Sequence, residues 1–323
     1  MVVAAVRRIV LTFIVLATAT FASFVFFWTH DLPLKGKPAL PAYVHWAYGL
    51  VSGASYTGQF QGPLWPTIGP AVGHTTVLLA LAALIVVPVS IGFAAVAAWS
   101  RGGVIDVVLR ALAYAAWAVP AFLLALLVAL AATTLGNHGG IGPFAVAGWP
   151  GQCVPGYNFV NGTLVRCTGV GFGWHYAVEV VRSVTIPALT LAAGFVGLHA
   201  RHLRASLLQT LEAPYITTAR AKGLSERRVL FKHALRISVA TFVGGLLADV
   251  GAIFGAALAV DVVFGLGGLG TVLIREFPVD SYAPFDVYSI QLMLLITGAF
   301  VLLSSLLADA VLAWLDPRLR KVG

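Results

Sequence analysis

The chain has 323 residues, of which 59% are hydrophobic and only 10% are charged, with a net charge of +8. Soluble domains usually carry about a quarter charged residues, and the mean hydropathy here is +0.93. This composition excludes an ordinary soluble enzyme or nucleic-acid-binding domain and predicts an integral membrane protein. The positive charge must therefore be interpreted by side of the membrane and does not indicate a nucleic-acid partner.

Apolar runs long enough to cross a bilayer, which takes about 20 residues per helix, occur throughout the chain. Six are predicted, at 8–28, 71–99, 107–135, 178–200, 237–262 and 287–314. Unbroken runs argue against a β-barrel, and their length argues against a soluble helical bundle. We predict a single all-α integral membrane domain over residues 1–323, with six transmembrane helices and outer loops at 29–70 and 136–177.

The first run begins after Arg7 and Arg8, and Ala17-Thr18-Ala19 resembles a signal-peptide cleavage site. A secretory h-region is only about 7–15 residues long, whereas this run continues unbroken to Trp28. The sequence therefore favours an uncleaved anchor over a signal peptide.

Basic residues predict the orientation. With the N-terminus inside, fifteen of the twenty Lys and Arg residues fall on the inner side. Because cytoplasmic loops carry the excess of positive charge, we predict that both termini, and a coupling loop at 201–236, lie in the cytoplasm. Through the resemblance described below, the expected location is the cell membrane of a prokaryote.

The outer loops carry two features. Aromatic residues in the first are interpreted as anchors at the membrane interface rather than as a ligand surface. The second contains Cys153 and Cys167, the only cysteines. Both fall on the oxidising side, which predicts a disulfide; two cysteines alone do not indicate a metal site.

Four residues are candidates for a translocation pathway. Pro120 lies inside the third run, where proline bends a helix, either for packing or to line a pathway. Asp249 lies near the middle of the fifth run, where an ionisable side chain is costly and suggests function, although a structural pairing is equally compatible. Phe122 and Asp261 join them through the resemblance described below.

Two patterns are rejected as ligand sites. His199 and His202 have a metal-compatible spacing, but arginines interleave with them and no carboxylate or thiol is near in sequence, so no metal site is predicted. Residues 265–270 satisfy G-x-G-x-x-G, yet they follow a membrane run rather than a strand. No G-x-x-x-x-G-K-[ST] loop occurs either, so the chain is predicted to bind no ATP or other cofactor itself.

The polar stretch 212–236 is the longest charged interruption between apolar runs. Pro214 suits the first turn of a short helix and Gly223 its end, and Ser225 suits the N-cap of a second helix. The second helix is predicted to be amphipathic, with its two faces formed by Arg228, Lys232 and Arg236 and by Leu230, Ala234 and Ile237.

Residues 215–224 read YITTARAKGL and strongly resemble the cytoplasmic EAA loop of binding-protein-dependent ABC transporter permeases. The spelling is closest to the dipeptide/oligopeptide/nickel permease family, whose version is Y-x-x-T-A-R-A-K-G-L. Residues 262–270 and 315–320, together with Pro120 and Phe122, resemble further motifs of that family. The chain departs from those motifs at Asp261, Gly267 and Ala118, where the family has Glu, Pro and Ser.

The resemblance implies a type I importer permease that hydrolyses no ATP. Its expected partners are a second homologous permease subunit, two cytoplasmic ATPase subunits or one fused ATPase holding ATP and magnesium, and an extracytoplasmic substrate-binding protein. Alternating access would be driven through an ATPase-coupling set: Tyr215, Thr218, Ala219, Arg220, Ala221, Lys222, Gly223 and Leu224.

The expected cargo is peptide, with nickel, haem or a siderophore-like ligand as alternatives within the family. A secondary transporter or a channel is the alternative from another class. A secondary transporter would often show an internal repeat, which the sequence lacks, and neither would need an ATPase-docking loop.

Overall fold

A computed structural model describes residues 2–30, 38–52, 64–135, 140–141, 144–145, 148–150, 174–275 and 287–315. Cys153 and Cys167 lie outside these residues, so their disulfide stays a prediction. The first two helices are α1 (Val2–His30) and α2 (Ala39–Ser52). The others are α3 (Leu64–Trp99), α4 (Val104–Ala118), α5 (Ala121–Leu135), α6 (Trp174–Leu211), α7 (Pro214–Ala221), α8 (Glu226–Arg228), α9 (Leu235–Ala248), α10 (Val250–Phe264), α11 (Leu269–Arg275) and α12 (Val287–Leu315).

The all-helical membrane class is confirmed. Within the described residues, four helical stretches are long and apolar enough to cross a membrane, and the bent pair α4–α5 provides a fifth. The apolar helix α10 and the apolar part of α12 are shorter. The strands of the described chain are the two-residue β1 (Gly140–Ile141) and β2 (Phe144–Ala145), which pair antiparallel as a small hairpin.

α3 and α6 form the centre of the bundle and share its most extensive contact. The main core cluster joins them to α5 and α10 through buried residues such as Leu78, Ala125, Leu191 and Val260. A second cluster packs the start of α3 against α11 and α12, and a third packs its end against α6 and α9. Since α3 has 36 residues, about 54 Å at 1.5 Å per residue, these clusters lie at opposite ends of the bundle.

The predicted third span, 107–135, is divided into two helices at the proline that was expected to bend it. α4 ends at Ala118, α5 begins at Ala121, and their axes differ by 95°. Pro120 explains the break, because proline has no N–H to continue the helical ladder and its ring displaces the preceding residue from helical geometry. Val119 accordingly has extended backbone angles, φ −89° and ψ 120°.

The predicted coupling loop is largely helical. α6 continues through its first part to Leu211, and α8 leads through a π-helical segment, Val229–Ala234, directly into α9. Leu230 and Ala234 are buried, whereas Ile237 is 52% exposed and Ser238 is buried. A π turn uses one more residue than an α turn, so the positions after it are shifted by about one residue relative to a uniform α-helix.

The fifth predicted span, 237–262, is also divided. α9 ends and α10 begins at Asp249, whose backbone angles are φ −89° and ψ 4°. The hydrogen-bond ladder nevertheless continues across this junction, from Asp249 N–H to Gly245 O and from Ile253 N–H to Asp249 O. The junction is therefore a local irregularity rather than an open break.

Residues 265–270 form a tight connection between α10 and α11, which accounts for their glycines. Gly265 has φ +62° and ends α10 in a left-handed conformation. A Cβ at Gly270 would lie 2.1 Å from the carbonyl oxygen of Leu258, so α11 can lie against α10 only with glycine at this position. The dinucleotide-like spacing thus reflects chain geometry.

We expect Gly270→Ala to lower the stability of the protein by about 1–3 kcal/mol, because the added methyl group overlaps main-chain atoms that cannot rotate away. The measurement is the thermal unfolding midpoint of the purified protein in detergent. Gly255→Ala is the matched control on α10, since its Cβ would meet nothing within 4 Å. Equal midpoints for the two variants would contradict the packing argument.

Candidate coupling site

α7 is a helix of about two turns with a well-defined start and end. Pro214 occupies its first position, where the missing N–H has no helical partner to lose. At its end, Gly223 N–H donates to Arg220 O at 2.9 Å and Leu224 N–H donates to Ala219 O at 3.3 Å. This pair of bonds is the Schellman motif, which needs a left-handed residue, and Gly223 has φ +78°.

The predicted coupling residues present an exposed surface. Ala219 and Leu224 are half-buried. The exposed members are Tyr215, Thr218, Arg220, Ala221, Lys222 and Gly223. Ile216, which no sequence motif marked, is fully buried and fixes α7 against the bundle, where the helix contacts the π segment.

Arg220 holds the turn around α7 together. Its guanidinium donates to both carboxylate oxygens of Glu226, at 2.7 and 3.1 Å, and to the carbonyl oxygen of Leu211 at 3.3 Å. The hydrogen bond to Glu226 raises the pKa of Arg220 above its usual value. Arg220 on α7 is therefore bound to the end of α6 and to the start of α8, and is not a freely solvated surface arginine.

A buried ion pair joins α4 to α6. Arg204 on α6 donates to Asp106 on α4 through both Nε (2.7 Å) and Nη2 (2.6 Å). Asp106 also accepts from Gly102 N–H at 3.1 Å and has Arg110 Nε at 3.5 Å. The Asp106 side chain is 1% exposed, so this clamp, defined as Asp106 with Arg204, fixes the α3–α4 turn to α6.

A second contact joins the same turn to the start of α7. Arg101 Nη1 donates to Glu212 Oε1 at 3.0 Å, with both side chains more than half exposed. Exposed pairs contribute only about 0.2–1 kcal/mol, whereas the bidentate Arg204–Asp106 pair is shielded from water. The clamp is therefore the stronger of the two connections.

The four pathway candidates are not brought together as one cluster. Pro120 and Phe122 lie at the α4–α5 bend, where both are exposed. Asp249 lies at the α9–α10 junction and has a partner that the sequence did not identify, since its Oδ2 is 3.6 Å from His199 Nε2.

Asp261 is buried in main-chain contacts. It is 1% exposed and accepts from Gly268 N–H, Thr271 N–H and Thr271 Oγ1 at 2.9, 2.8 and 3.2 Å. Thr271 N–H is one of the free donors in the first turn of α11, so the Asp261 carboxylate satisfies it as an N-cap side chain does. This arrangement favours a bracing role over exposure to cargo.

Comparison with known proteins decides the family. The family described as binding-protein-dependent transport system inner membrane component matches residues 90–321, more than two thirds of the chain. The chain belongs to this family. It is therefore a permease subunit of an importer, a non-catalytic membrane component whose family works with ATPase and substrate-binding partners.

Two relatives of the permease are similar to it over more than four fifths of their lengths. The oligopeptide transport system permease protein OppB of Mycobacterium tuberculosis is 29% identical over 294 residues, 90% of this chain and 83% of the relative. The dipeptide transport system permease protein DppB of Escherichia coli is 26% identical over 287 residues, 88% of this chain and 82% of the relative.

Sequence reasoning missed the polar contacts that position the coupling helix in the permease. One signal was available for the clamp, since Asp106 is an acidic residue beside a predicted inner turn, facing a basic segment on another helix. The choice of Arg204 over its neighbour Arg201 depends on how α6 rotates against α4. Arg201 instead lies over the Tyr114 ring, 4.4 Å from its centroid, and donates to Gly197 O.

Proposed function

We propose that this permease forms half of the translocation pathway of an ATP-driven importer for di- and oligopeptides, and that α7 docks into an ATPase subunit. The observation that carries the coupling role is the exposed, rigidly capped α7, tied at both ends to the bundle. The peptide cargo is supported by the relatives named for oligopeptide and dipeptide transport.

The exposed face of α7 suits a protein partner in its chemistry. Thr218, Ala221 and Gly223 have small side chains or none, so another backbone can approach closely, and Lys222 offers a charged donor. Ile216 on the opposite face is buried, so force applied to α7 reaches the bundle without bending a loose loop.

The proposed mechanism is alternating access. ATP binding brings two ATPase subunits, or two halves of a fused ATPase, together beneath a heterodimer of this chain and a homologous permease. The docked helices then move with the ATPases, and the equilibrium shifts towards the state that the docked contacts favour. An extracytoplasmic binding protein delivers the cargo, and both termini of this chain lie in the cytoplasm.

Deleting the gene for this chain tests the proposed function. We expect the deletion to abolish ATP-dependent uptake of labelled di- and tripeptides, and the intact chain supplied in trans to restore it. Restored uptake of nickel, haem or a siderophore without peptide would show a different cargo. Uptake that survives ATP depletion with the ion gradient intact would contradict the ATPase-coupled mechanism in favour of a secondary transporter.

A further inference from the structure

Asp249 and His199 form an incompletely paired polar site inside the helical bundle. His199 on α6 is 1% exposed, and its Nε2 has no hydrogen-bond partner in the described chain. The facing Asp249 Oδ2 is 3.6 Å away, which is too long for a hydrogen bond. Asp249 itself is 37% exposed, so one member of the pair can be reached from outside the chain.

Cations near this site are already engaged elsewhere. Arg201, two residues from His199, is directed to the Tyr114 ring and to Gly197 O, and Arg204 is held by Asp106. Within the described part of the chain, the imidazole of His199 is the only group that forms an ion-pair contact with Asp249. The carboxylate therefore keeps capacity to bind a positive group.

We propose that the carboxylate of Asp249, held from behind by His199, binds a primary ammonium group of the cargo, which rests on the proposed peptide import and names the part of the peptide that this chain recognises. Asp249 is the exposed member of the pair, so the ammonium donates a hydrogen bond to its carboxylate. His199 Nε2 is enclosed, so His199 is a positioning residue that faces the carboxylate and does not contact the ligand. An anion would be repelled by Asp249.

The surroundings favour an ammonium ion over a metal ion. Among the residues that the structure describes, no group of three or more His, Cys, Asp or Glu side chains is placed to hold a metal. Phe195 and Phe242 flank His199, with ring centroids 6.5 and 5.9 Å from the imidazole. Neither ring supplies an atom that could ligate a metal ion.

The test measures peptide binding by the complete transporter in nanodiscs without its binding protein, so that delivery does not influence the result. The probes are Ala-Ala-Ala, N-acetyl-Ala-Ala-Ala and N-acetyl-Ala-Lys-Ala. We expect Asp249→Asn to raise the Kd of peptides with a bound ammonium group about tenfold, because the amide that replaces the carboxylate carries no charge to attract the ammonium. Asp249→Glu should recover most of the affinity. Uptake of Ala-Ala-Ala by the wild-type transporter with its binding protein is measured in parallel in proteoliposomes.

The peptide series separates the two sources of an ammonium group. An effect on Ala-Ala-Ala alone would assign the peptide N-terminus, and an effect on the acetylated lysine peptide would assign a basic side chain. An unchanged Kd for both amines, an equal loss for the fully acetylated peptide, or binding of Ni²⁺ in place of amines would overturn the proposal. A wild-type transporter that neither imports nor binds peptide would instead refute the proposed function, and the inference with it.

Discussion

Replacing Gly223 with glutamate is expected to reduce the ATPase that co-purifies with the permease by about tenfold or more, while the amount of permease in the membrane stays the same. The left-handed backbone at Gly223 costs a side-chain-bearing residue about 1–2 kcal/mol. The substitution also places a carboxylate on the surface proposed to contact the ATPase, and about 1.4 kcal/mol already corresponds to a tenfold change.

Two controls separate loss of docking from loss of folding. Gly148→Glu introduces the same side chain at another glycine of positive φ, +82°, that also has open space. It lies at the opposite end of the bundle, beside Phe264, and should retain the ATPase. Gly223→Asn keeps a residue that tolerates left-handed angles and should retain most binding. Normal co-purification and normal uptake by Gly223→Glu would refute the docking assignment.

The coupling helix illustrates which features a sequence can predict. Pro214 and Gly223 are local signals, because each restricts the backbone wherever it occurs, and α7 begins and ends as they indicate. The start of the following helix at Glu226 agrees equally well with Ser225 as its N-cap position, although the Ser225 side chain makes no capping bond.

Contacts between distant segments could not be predicted in the same way. The π segment at Val229–Ala234 shifts the helical register of the following residues by one, and no local residue preference predicts it. Asp249 was identified as costly from its position alone, but its neighbour His199 is fixed by the rotation of α6 against α9 and α10. Pro120 predicted a bend, whereas the 95° angle depends on how α4 and α5 pack against α6.

The clamp between Asp106 and Arg204 leads to the second prediction, in which the two partners are not equivalent. Asp106→Asn should destabilise the protein by about 3 kcal/mol, because removing one member of a buried pair leaves an uncompensated charge. Here the mostly buried Arg204 is left without its partner, and the half-exposed Arg110 loses a second contact. Arg204→Gln should cost less, because Arg110 remains 3.5 Å from Asp106 and can still balance it.

A double-mutant cycle on thermal or denaturant unfolding measures the interaction. Asp106→Asn with Arg204→Gln should be more stable than the sum of the single losses implies, with a coupling energy of about 1–3 kcal/mol. Additive losses, or a larger cost for Arg204→Gln than for Asp106→Asn, would show that the clamp does not hold the α3–α4 turn.

The clamp also has an expected effect on transport. Force on α7 can reach α4 through two polar connections, either through α6 and the clamp or through the exposed Arg101–Glu212 pair. The exposed pair is too weak to transmit the force alone. Arg204→Gln should therefore lower the peptide imported per ATP hydrolysed, while Arg101→Gln, which breaks only the exposed pair, changes it little. The two variants are matched, because each removes one arginine from the same end of the bundle. A lower ratio of peptide imported to ATP hydrolysed in Arg204→Gln than in Arg101→Gln would identify the buried pair as the connection that links α7, through α6, to α4. Equal ratios in the two variants would exclude it.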